Sequence, residues 1–144
     1  MKKLFILSLF FGITACSSNQ ESRQDNAQQA TQSLLNQVNS LIDGDQYVEA
    51  LAVLAEQQDT EETLQLREKT YLNYGLYLEY RDSEVTSMRD KMNGALKQYV
   101  EVLKINPDNE KAMTEIEQIL GIYSTFPDRS PDPEIMADLE ELGF

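Results

Sequence analysis

With a single cysteine, Cys16, and no histidine among 144 residues, this chain has little with which to do covalent chemistry. A serine or cysteine nucleophile needs a base within hydrogen-bond reach, and the sequence supplies no imidazole for that role. Two suitably spaced carboxylates are enough for glycoside hydrolysis. Asp and Glu together number 25, however, and no spacing singles out one pair, so they read as a solvated acidic surface. Asp43-Gly44-Asp45 with Glu49 offers too few oxygens, at the wrong intervals, for a calcium loop. A glycine-rich phosphate loop is absent as well. The expectation is therefore no catalytic residue, no metal site and no cofactor. Two features remain: the thiol of Cys16, and the tyrosines at 71, 74, 77 and 80.

The setting of Cys16 gives its thiol a role. Met1-Lys2-Lys3 is a short basic region, and residues 4–13 form an apolar run. A spanning helix needs roughly twenty apolar residues, so a run of half that length reads as an export signal. The run ends in Ile13-Thr14-Ala15-Cys16, which resembles the lipobox of bacterial lipoproteins: a branched apolar residue, two small ones, then the cysteine. The small side chains let a peptidase draw the backbone against its own catalytic groups. The resemblance implies a diacylglyceryl group on Cys16, cleavage just before it, and acylation of the new amino terminus. Two or more acyl chains hold a protein stably to a bilayer where one holds it marginally. Residue 17 is serine rather than aspartate, and the resemblance to lipoprotein sorting signals then implies an outer-membrane anchor facing the periplasm in a host with two membranes. In a host with one membrane it implies the outer face of the cell membrane.

Charge narrows the range of partners. The formal net charge is −13, and removing residues 1–15 takes away Lys2 and Lys3 but no acid. Such a surface repels phosphate and lacks the clustered Lys and Arg of a nucleic-acid footprint, so nucleic acid is excluded. Anionic lipid surfaces are disfavoured for the same reason, leaving the lipid on Cys16 as the membrane contact. A protein partner is expected to be basic, and no small-molecule substrate is expected.

These features must be positioned by helices. Residues 16–26 are polar and aperiodic, and read as a flexible lipidated tether. From Ala27 the apolar positions Ala30, Leu34, Val38 and Leu41 recur at helical steps, and Gly44 is the expected left-handed residue ending that helix. Tyr47, Ala50, Leu51 and Leu54 mark a second helix. Thr60 is the expected cap of a third, which runs to about Tyr80 with apolar residues on two sides and is the expected centre of the domain. Asp82 or Ser83 is placed as the cap of a fourth helix with the stripe Val85, Met88, Met92, Leu96, Tyr99 and Leu103, and Gly94 on a solvated face. Met113, Ile116, Leu120 and Tyr123 form a fifth, ending before Pro127. Pro133 opens a last short helix that stops at Gly143. No segment alternates with period two, so the fold class is all-α.

Two segments resemble tetratricopeptide repeats. Gly44-Asp45-Gln46-Tyr47-Val48-Glu49-Ala50-Leu51 is similar to the turn and second helix of such a repeat. Ala95-Leu96, Tyr99 and Val102 to Asn109 carry its small residue, aromatic and closing proline in order, and Tyr74-Gly75 looks like the Leu-Gly of the preceding first helix. The stretch from Gly75 to Ala95 is about eight residues longer than the repeat has. The resemblance implies a short solenoid of about three antiparallel helix pairs over residues 27–142, with a concave groove for a peptide or a partner's helix.

Tyrosine offers large contact area with a polar tip, which favours it at interfaces. Spacing of three drifts around a helix, so the four cannot make one platform. Tyr71 and Tyr74 are assigned to the core, and Tyr77 and Tyr80 to a candidate partner groove. The function expected is a lipid-anchored, non-catalytic envelope interaction module. The alternatives are a passive spacer lipoprotein and a small carboxylate-dependent hydrolase.

Overall fold

The computed structural model describes the backbone from Ser18 and side chains from Gln29, so Cys16 and the export signal lie outside the described residues. The described elements are helices: α1 (Ser18–Asp43), α2 (Tyr47–Ala55), α3 (Glu61–Leu76), a π-helical turn (Tyr77–Arg81), α4 (Met88–Ile105), α5 (Glu110–Ser124) and α6 (Pro133–Leu142). No strand occurs among the described residues, as the periodicity requires. The chain divides into two units after Leu34. In the first unit the described part belongs to α1, whose backbone is helical from Ser18 onward, through most of the stretch read as a flexible tether. That stretch contains neither glycine nor proline, so a helix nucleated downstream propagates into it.

The second unit begins at Leu35. Here α1 buries Val38 and Ile42 and then stops in a Schellman motif. The Gln46 amide donates to the Leu41 carbonyl at 2.8 Å, and the Asp45 amide to that of Ile42 at 3.0 Å. The left-handed residue is Asp45, with φ of 55°, and not Gly44 as expected. Aspartate tolerates this conformation when its side chain is fixed locally, and Asp45 accepts hydrogen bonds from Tyr47 and Arg81. Across the next turn Thr60 caps α3 in a reciprocal box with Thr63. Arg67 joins α3 to the end of α2 through the carbonyls of Leu54 and Gln57.

The core centres on α4 rather than on α3. Ala95, Leu96, Tyr99, Val100, Val102 and Leu103 are almost wholly buried, and α4 packs against α3, the π turn, α5 and α6. Each such aliphatic side chain contributes about 1.5–3 kcal/mol on burial, which makes this helix the main source of stability. α3 does lie between α2 and α4, but of its buried residues Thr63, Leu66, Thr70 and Gly75 only Leu66 is a large apolar one, and Tyr71 and Tyr74 are half-buried. Apolar residues on two sides of a helix require cover on two sides, and half-cover satisfies amphipathic tyrosines.

The start of α4 also departs from expectation. Ser87 is the cap, its hydroxyl accepting from the Asp90 amide at 3.4 Å. Asp82 instead accepts from the Glu84 amide at 2.8 Å, a local turn that keeps residues 82–87 out of the helix. Val85 therefore falls outside the stripe, and Met88, though in register with it, is 64% exposed. Gly94 is half-buried against Leu78 and not on a solvated face. At the far end, Asn109 caps α5, Pro133 opens α6, and Gly143 closes it with φ of 93°.

Candidate functional site

The π turn sets the direction of the side chains that matter. It is closed by the Asp82 amide donating to the Tyr77 carbonyl at 2.8 Å, an i to i+5 bond. Residues beyond Leu76 therefore leave the roughly 100° per residue progression of an α-helix. Tyr77 turns toward α2, its ring centroid 5.4 Å from that of Tyr47. Glu79 turns toward α4 and accepts from the Tyr99 hydroxyl at 2.8 Å. Tyr80 turns toward α5, donating to Glu115 Oε2 at 2.6 Å and accepting from Gln118 Nε2 at 2.8 Å. Arg81 reaches the α1–α2 turn, with Nη2 2.7 Å from Asp45 Oδ1. Tyr77 and Tyr80, assigned from sequence to one groove, thus belong to two separate places.

The first place is an aromatic stack. Tyr47 and Tyr74 lie 5.2 Å apart with ring planes at 13°, Tyr77 leans against Tyr47, and the Arg81 guanidinium sits 5.3 Å from the Tyr77 centroid. Tyr47 is buried, and its hydroxyl donates to Asp45 while accepting from Arg81. Burial first, and then the Asp45 carboxylate, push its pKa up to about 12. Tyr74 and Tyr77 are half-buried, and the Arg81 side chain is 56% exposed, so the stack presents an outer edge to solvent.

The second place is a half-open cavity of about 510 Å³ between the π turn, the start of α4 and the end of α5. Met88, Met92, Ile122 and Phe126 supply apolar lining, Tyr80 stands at its edge, and Arg89, Lys91, Arg129 and Glu79 provide charge. Tyr80 is 55% exposed although its hydroxyl is held from both sides. Glu115, which holds it, is buried and also binds Lys111. Burial raises the pKa of Glu79 above the ordinary glutamate value, and the hydrogen bond from Tyr99 opposes that shift. Burial, with the Glu79 and Glu115 carboxylates respectively, raises Tyr99 and Tyr80. These bonds tie the π turn to two neighbouring helices and so fix the surface that carries Tyr80.

Of the stripe expected on α4, Met92 is buried in the core and Met88 is exposed, and no local signal in the sequence indicates the Glu79–Tyr99 and Tyr80–Glu115 pairs. Their spacings of 20 and 35 residues match no local pattern. Among the described residues no group of three or more Asp, Glu, His or Cys side chains is arranged to hold a metal ion. No helix among them is long and apolar enough to cross a membrane. No protein-family model matches the chain, and neither the curated proteins nor the solved structures give a match.

Proposed function

We propose that the chain is a lipid-anchored, non-catalytic interaction module of the cell envelope, with helix pairs in a short tetratricopeptide-like array and a protein partner docked on the edge of its tyrosine stack. Anchoring rests on the lipobox resemblance at Cys16. The array is supported by sequential packing of α2 on α3, α3 on α4 and α4 on α5, and by the close approach of α3 and α4 at Gly75. The observation that carries the docking surface is the pairing of Tyr77 with Arg81 on the π turn. Tyrosine and arginine are the residue types enriched at binding hot spots, and here both are ordered before any partner arrives. Tyr47 and Asp45 hold them, which lowers the side-chain entropy lost on association. In a host with two membranes the module would face the periplasm from the outer membrane.

A photo-reactive residue placed at Tyr77 or Arg81 of the full chain in intact cells tests this reading. A discrete adduct identified by mass spectrometry, absent when the residue is placed at exposed Glu117 on α5, is the expected result. Adducts that are equal and diffuse at all three positions would point to a spacer without a dedicated partner. Cys16→Ser should in parallel leave an uncleaved, unacylated precursor, and normal processing of that variant would refute the lipid anchor.

A further inference from the structure

The cavity edged by Tyr80 is not needed for that docking surface, and its composition is unlike the rest of the molecule. The chain is strongly acidic, yet three cations, Arg89, Lys91 and Arg129, line this one opening against a single carboxylate, Glu79. Glu79 is already engaged by the Tyr99 hydroxyl. Arg89 pairs with Asp132 at 3.0 Å. Among the described residues Lys91 binds a backbone carbonyl, that of Asp82, and the Arg129 guanidinium lies 5.3 Å from the centroid of the Phe126 ring. Among the described residues neither Lys91 nor Arg129 has a carboxylate within ion-pair distance. The lining between them is apolar, and includes two methionines, whose flexible thioethers fit chains of irregular shape. A volume of about 510 Å³ lies within the range of small-ligand sites.

We propose that this cavity binds a single-chain acyl carboxylate, with the hydrocarbon against Met88, Met92, Ile122 and Phe126 and the carboxylate between Lys91 and Arg129. Charge complementarity selects an anion from ligands that an acidic protein otherwise repels. The apolar lining favours a hydrocarbon over an extended peptide, because a peptide would bring amide and carbonyl groups that need hydrogen-bond partners there. The polar neutral groups of the lining are already engaged, Tyr80 with Gln118 and Tyr123 with Asn93. The exposed side chains of Met88 and Phe126, at 64% and 47%, are those an entering chain would cover.

Calorimetric titration of the full chain carrying Cys16→Ser, which bears no acyl group to compete or to require detergent, with decanoate, dodecanoate and tetradecanoate below their micelle concentrations tests the assignment. The expected result is saturable one-to-one binding that tightens by about fourfold per added methylene until the cavity is filled. Dodecanol should bind at least tenfold more weakly than dodecanoate. Lys91→Ala combined with Arg129→Ala should weaken dodecanoate about tenfold to a hundredfold, the range for hydrogen bonds to charged groups, and leave dodecanol unchanged. Met88→Asp, at an exposed position that does not bear on folding, should weaken both. Equal binding of acid and alcohol, indifference to these substitutions, or no saturable binding would overturn the proposal. So would a protein crosslinked specifically at Met88 in cells, which would make this a second protein-docking face. Loss of adducts at Tyr77 leaves the proposal untouched, and loss of dodecanoate binding leaves the docking surface untouched.

Discussion

The ring of Tyr99 lies directly against the backbone of Gly75: a Cβ built on that glycine would stand 2.8 Å from Tyr99 Cδ1 and 2.9 Å from Cζ. Contacts that short do not occur between real side chains, so the α3–α4 approach depends on the absence of a side chain at residue 75. The same ring places its hydroxyl on Glu79, one turn further along. One buried tyrosine thus sits in the tight crossing and also holds one residue of the π turn.

Gly75→Ala is expected to destabilise the protein. Overpacking at a buried contact costs about 1–3 kcal/mol, and the better helix propensity of alanine returns less than about 1 kcal/mol. Tyr99 is held from both ends and cannot swing away cheaply, so the cost should lie in the upper half of that range. Thermal unfolding followed by circular dichroism should show a lower midpoint for Gly75→Ala. In a Tyr99→Leu background the same substitution should cost much less, and an equal loss in both backgrounds would show that the ring is not the obstacle.

Glu79 should give stability a specific pH dependence. Its folded-state pKa is raised above the usual 4.5, chiefly by burial. The folded state therefore binds a proton more readily than the unfolded chain does. The corresponding contribution is fully present below 4.5 and is lost as pH rises through the raised value. Glu79→Gln keeps an acceptor for the Tyr99 hydroxyl and cannot ionise. Denaturant midpoints of the two proteins should coincide in acid, and the variant should become relatively more stable above that window. Parallel curves across the whole range would exclude a raised pKa at this residue.

Alkaline conditions should unfold the protein through its tyrosines. Tyr47 is pushed up to about 12, and Tyr80 and Tyr99 are raised as well. Between the ordinary value of 10 and their raised values the folded chain holds these protons while the unfolded chain releases them. The stability they contribute is thus present below 10 and declines as pH climbs toward 12 in the case of Tyr47. Near-ultraviolet absorbance should show some of the seven tyrosines ionising only together with loss of the helical signal. Complete ionisation near 10 with helices intact would contradict the buried stack.

Much of this architecture was legible in local spacing. Helix periodicity, the cap at Thr60, the proline opening α6 and the glycine closing it are interactions within three or four residues, so a one-dimensional pattern contains them. The stripe on α4 was likewise legible, because its buried residues share one face of one helix. Periodicity assigns a side chain to a face but cannot say what stands opposite. Met88 shares the stripe and is exposed, whereas α3 has apolar residues on two sides and is not the centre. The left-handed conformation fell to Asp45 because Arg81, 36 residues away, and Tyr47 hold its carboxylate. The π turn is the clearest case. Its i to i+5 bond leaves no periodic trace in sequence, and it is pinned by Tyr99, Glu115 and Asp45, which lie 20, 35 and 36 residues from the groups they bind. Residue types alone determined that tyrosines and cations would be available at a surface. Only tertiary contact decided that Tyr77 would join an aromatic stack while Tyr80, three residues later, would stand beside a cation-lined cavity, because a helix wound one residue wider turns its side chains toward different neighbours.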